Sequence, residues 1–107
     1  MSTFEKREEN AEKQFAHDEE LRFKALARRD RLAGLWAAEK LGKTGAEAET
    51  YAASLVAAEM KRDADDVVFH KIRKDFDAAG VAQSDHQIRR ELEELMARAT
   101  NDVKASG

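Results

Sequence analysis

The chain has no cysteine, so any catalytic or metal chemistry would have to be assembled from three histidines, His17, His70 and His86, and a scatter of carboxylates. The histidines lie far apart in the sequence. Only Asp66 and His70 stand at the i,i+4 spacing that lets two side chains of one helix share a ligand. Two ligands do not make a metal site, so this spacing reads as a surface pair on a helix. Glu-x-x-His motifs of the kind that build di-iron centres in helical bundles are absent. No Gly-rich phosphate loop is present, and no signature surrounds a serine nucleophile. The residues therefore point away from an enzyme.

Basic residues offer more. "ARRDR" (27–31), "HKIRK" (70–74) and "QIRR" (87–90) each group cationic side chains. The last places Arg89 and Arg90 in the first turns of a helix, whose free N–H groups and positive dipole end can hold a phosphate. With Trp36 as a stacking surface, these residues sketch a weak nucleotide pocket. Asp85 at the same helix start opposes an anion, and the competing reading is a set of solvated helix faces. Trp36 also reads as a core anchor, with Gly34 two residues earlier allowing a close helix–helix approach.

The elements that would position these residues are helices. The chain has 107 residues, no proline and only five glycines, and is rich in Ala, Glu, Lys, Arg and Leu. No stretch alternates over strand length. Gly42 and Gly80 are helix stops, while Thr44–Glu47 and Ser84–Gln87 have capping-box spacing. Asp63, Asp65 and Asp66 suit the start of the third helix. These signals predict helices over about 19–41, 45–62, 65–79 and 85–103.

Three of these helices have one apolar stripe each: Ala48, Tyr51, Ala52, Leu55 and Val56; Val68, Phe69, Ile72, Phe76 and Ala79; Ile88, Leu92, Leu95, Met96, Ala99 and Val103. The first has two. Leu21, Ala25, Leu32, Leu35 and Trp36 form one, and Phe23, Leu26, Ala27, Gly34 and Leu41 the other, so this helix belongs between neighbours. The expected fold is all-α, a four-helix bundle over residues 19–104 with a flexible or partly helical N-terminal arm over 1–18. Nineteen basic and 22 acidic residues are interspersed to a net charge of −3, which argues against nucleic acid and acidic membranes as partners. No apolar run approaches the ~20 residues that span a bilayer. Together with the absence of cysteine, this suits a cytoplasmic protein.

The arm, "FEKREENAEKQFAHDEE", is poor in apolar side chains. At about 100° per residue, Phe4, Ala11 and Phe15 share a narrow sector of the helical wheel, roughly 80° from the Leu21–Trp36 stripe. Glu5/Glu9 and Glu8/Glu12 are like-charge pairs that weaken an isolated helix. The arm is therefore conditionally helical. Either its aromatic face awaits a partner, or Phe4 and Phe15 fold back onto the bundle.

"FAHDEELRFKALARRDRLAGLWAAEKLG" and "FDAAGVAQSDHQIRRELEELMA" resemble the zeta subunit of α-proteobacterial F-type ATP synthases, and the arm resembles the start of that family. The resemblance implies a four-helix bundle that inhibits ATP hydrolysis by the synthase's catalytic head. It implies that the N-terminal segment enters an interface between α and β subunits, with γ as a further contact, while the bundle anchors it outside. Carried onto this chain, the inhibitory segment is about 2–18, with Phe4, Arg7, Ala11, Phe15 and His17 as its candidate contacts. It also implies ADP or ATP as a weak ligand of the bundle, with no cofactor required. For this ligand Trp36, Arg89 and Arg90 are the candidates. The free chain would be monomeric and peripheral on the inner face of the bacterial membrane through the synthase.

Overall fold

A computed structural model describes the backbone of residues 2–61 and 66–106, and the side chains of 19–61 and 66–106. Four helices make up the fold: α1 (Ser2–Lys40), α2 (Gly45–Lys61), α3 (Val67–Ala79) and α4 (Asp85–Ser106). The bundle is all-α among the described residues. Helix α1 packs against both α2 and α4, and α3 closes the bundle by touching the same two helices. Helix α1 thus holds the place between neighbours that its apolar residues on two sides led one to expect, although the residues it buries there are different ones. Asp63 and Asp65, expected at the start of the third helix, lie outside the described residues.

Local chemistry sets the turns. Gly42 is left-handed (φ 77), and the amide of Lys43 reaches back to the Ala38 carbonyl at 2.8 Å, a Schellman-type ending of α1. Gly80 (φ 70) ends α3 in the same way, with the Val81 amide on the Phe76 carbonyl at 2.9 Å. The capping box at the head of α4 closes in both directions: the Gln87 amide donates to Ser84 Oγ at 3.1 Å, and the Ser84 amide donates to Gln87 Oε1 at 2.8 Å. The matching spacing at Thr44 and Glu47 does not close. Gly45 is left-handed (φ 54) between them, which turns Thr44 out of the capping position.

Ala33, Ala37, Ala38, Leu55, Ile72, Phe76 and Ile88 are buried at the centre of the core. Contrary to the expected Leu and Trp stripe, α1 contributes alanines there, and Leu32 and Trp36 pack at the margin. Small side chains are needed because α1 is approached closely. A Cβ at Gly34 would stand 2.4 Å from Ala52 Cα. The second expected stripe is covered only in part: Gly34 is buried under α2, whereas Phe23 is 44% exposed.

Candidate functional site

Ion pairing decides what the basic clusters can do. Arg28 donates to Asp102 of α4 at 2.9 Å, and Arg31 donates to Glu49 of α2 at 2.9 Å. Arg29 turns inward and donates twice to Asp30 Oδ1, at 3.0 and 2.8 Å, and once to Glu59 of α2 at 3.2 Å. The cluster at 27–31 thus fastens α1 to its two neighbours. In the second cluster Arg73 closes the α3–α4 connection: it bonds Asp77, Asp85 and the Gln83 carbonyl, the last at 2.6 Å. Lys71 pairs with Asp75, which also accepts from the Tyr51 hydroxyl at 2.7 Å. Burial first, then this carboxylate acceptor, push the Tyr51 phenol upward. In both clusters the arginines, and Lys71, are therefore already paired with carboxylates.

The three candidate nucleotide residues separate into two places. Trp36 and Arg90 line one shallow groove of about 320 Å³, together with Lys40, Gln83, Gln87, Glu91 and Glu94. Trp36 packs its other side against Phe76, ring centroids 5.6 Å apart, and Lys40 lies 6.0 Å from the Trp36 ring centre. Trp36 is therefore half core and half groove wall. Arg90 pairs with Glu94 at 3.3 Å, so its charge is already met within the groove. Arg89 points elsewhere. Its guanidinium lies 4.0 Å over the Phe69 ring and pairs with Asp66 at 3.6 Å, tying α4 to the head of α3. Asp66 therefore offers its carboxylate to Arg89, while only its backbone carbonyl meets the His70 amide. No group of three metal-ligating side chains occurs among the described residues.

The other candidate site is the N-terminal stretch of α1. Its backbone is helical from Ser2 and runs without a break into the bundle, 39 residues in all. The side chains of Phe4, Arg7, Ala11, Phe15 and His17 lie outside the described residues. From Glu19 to Lys24 the helix carries an exposed Glu20–Lys24 pair at 3.3 Å, and burial on the described part of α1 begins at Ala25. The molecule measures 63 × 25 × 23 Å, and its long dimension is set by this helix, which is ~58 Å long at 1.5 Å per residue.

Sequence reasoning passed over Asp30, which is fully buried. Its signal was its place on the wheel, three and seven residues before Ala33 and Ala37 on the same buried face.

The family model described as ATPase inhibitor subunit zeta matches residues 1–102. A chain solved by solution NMR is 38% identical and superposes with a TM-score of 0.68, covering 81% of this chain and 99% of its own. Among curated proteins no match was found.

Proposed function

The chain belongs to the family of ATPase inhibitor zeta subunits, which makes it an inhibitory regulator of ATP synthase rather than a catalyst, and from that premise we propose that the N-terminal stretch of α1 is the inhibitory element. It binds as a helix at an interface between α and β subunits of the catalytic head, with Phe4, Ala11 and Phe15 on its contact face, Arg7 at the edge of that face and His17 on another side of the helix. The bundle holds it from outside the head. The protein is peripheral to the membrane through the synthase, and among the described residues no helix is long and apolar enough to cross a bilayer.

The observation that supports this reading is the reach of α1. Its helix begins at Ser2, whereas burial on its described part begins only at Ala25. Residues 2–18 would span ~25 Å as helix, enough to enter a crevice between subunits. Burying two phenyl rings contributes several kcal/mol at ~25 cal/mol per Å². Ordering the arm costs about 1 kcal/mol or more per residue, so an extensive interface must hold it. A helix wedged there blocks the conformational cycle of the catalytic sites without itself being consumed. The test is ATP hydrolysis by the isolated head. Phe4→Ala with Phe15→Ala should weaken inhibition about a hundredfold or more while leaving the unfolding transition of the bundle in place.

A second reading has one supporting observation, the shared groove of Trp36, Lys40 and Arg90. In it ADP or ATP binds weakly, its base against Trp36 and its phosphates near Lys40 and Arg90, and Arg89 takes no part. Titration with millimolar ADP should quench Trp36 fluorescence and shift the amides of Lys40, Gln87 and Arg90. An unchanged spectrum at that concentration contradicts this reading.

A further inference from the structure

Asp30 is fully buried, and its Oδ2 has no hydrogen-bond partner. Both bonds it accepts from Arg29 fall on Oδ1. The same guanidinium also serves Glu59 at 3.2 Å, with side chains only 19% and 27% exposed. Two carboxylates thus share one cation where α1 meets α2. If both are ionised, the cluster carries a net negative charge in a poorly solvated place, and one oxygen is left without a donor. A single proton on Asp30 removes both penalties. The cluster becomes a neutral acid beside an Arg29–Glu59 pair, and the orphaned oxygen becomes a donor whose acceptor is Glu59.

The other charged groups nearby do not substitute for that proton. Asp66 lines the same cleft from the head of α3, but it is held by Arg89 of α4 at 3.6 Å. Arg28, next along α1, is held by Asp102 of α4 at 2.9 Å. Among the described residues Arg29 is the only cation bonded to Asp30.

We propose that Asp30, Arg29 and Glu59 form a proton-operated latch between α1 and α2, closed when the Asp30 carboxyl is protonated and loosened when it ionises. The helix so fastened is the one that continues into the N-terminal arm. The latch therefore sets how firmly that helix is rooted in the bundle as pH passes through neutrality. This inference stands apart from the inhibitory reading and does not depend on it.

Supporting the geometry, burial raises the Asp30 carboxyl from its ordinary 3.8 to about 7, Arg29 opposing and Glu59 reinforcing the rise. The folded chain then holds a proton that the unfolded chain releases. Its stabilising contribution is fully present below the ordinary value and is lost as pH rises through about 7. Between pH 5 and 8 the folding equilibrium constant should fall by roughly a hundredfold on account of this group.

The test uses the full chain. Carboxyl carbon shifts followed by NMR should give Asp30 a midpoint near neutrality; a midpoint in the usual carboxylate range overturns the proposal. In Glu59→Gln the midpoint should fall, and an unmoved midpoint contradicts the latch. Urea unfolding of the wild type and Asp30→Asn at pH 5 to 8 provides the second measurement. Histidine contributions cancel in the difference between the two proteins. The ratio of their equilibrium constants should change by roughly a hundredfold across that range, whereas parallel pH profiles would overturn the latch.

Discussion

At Gly34 a single methyl group decides whether α1 and α2 can meet. Its Cβ would stand 2.4 Å from Ala52 Cα, and a backbone atom cannot step aside as a flexible side chain can. Gly34→Ala should therefore lose about 1–3 kcal/mol in urea unfolding, despite the better helix propensity of alanine. An unchanged midpoint would show that the two helices can separate at little cost. Residue types alone revealed Gly34 as a close-approach point. They did not reveal Asp30, because the alanine face that it shares with Ala33 and Ala37 was passed over in favour of the leucines and Trp36. The arginines of 27–31 looked like a patch because their partners Asp102, Glu59 and Glu49 lie on other helices, and sequence spacing does not register such pairs. Trp36 and Arg90 do share a groove, but Arg89, next to Arg90 in sequence, turns to Phe69 instead. Adjacent residues on a helix diverge by about 100°, and only the surrounding helices say which of them faces a given groove.

Among the elements, α4 was the most legible. Its stripe of Ile88, Leu92, Leu95 and Ala99 is buried, and its capping box forms in both directions. Ser84→Ala should cost about 1 kcal/mol in chemical unfolding. Thr44→Ala should cost clearly less, because the left-handed Gly45 keeps Thr44 from the equivalent role. A loss at Thr44 as large as that at Ser84 would contradict the capping assignment. Helix α1 was harder to read, since its leucines are more apolar than its alanines and its Trp36 is the largest side chain it carries. The helix squeezed between two neighbours takes its smallest side chains inward, and bulk moves to the margins. The wheel set Phe4, Ala11 and Phe15 apart from the expected Leu21–Trp36 stripe, yet the face that α1 buries runs through Ala33 and Ala37. Ala33 stands five turns after Phe15, so the arm's aromatic sector continues that buried face; no wheel identifies a partner. In the inhibitory reading Phe4→Ala and Phe15→Ala each weaken inhibition about tenfold or more, since a buried phenyl ring contributes about 1.5–3 kcal/mol. Lys13→Ala, off that sector, serves as the control.

The whole molecule is an elongated body, 63 Å along α1 and about 25 Å across. Helical periodicity, the absence of proline and the glycine stops made the all-α bundle readable from sequence, whereas the inhibitory role rests on kinship with the ATPase inhibitor zeta subunits. In the proposed inhibitory reading the bundle anchors and residues 2–18 inhibit. The decisive measurement is ATP hydrolysis by the isolated catalytic head, with the full chain and a chain beginning at Glu19 compared at equal concentration. The shortened chain should keep its bundle helicity and cooperative melting but leave hydrolysis running at the uninhibited rate. Full inhibition by the shortened chain would place the inhibitory surface on the bundle and rule out the arm as the inhibitory element.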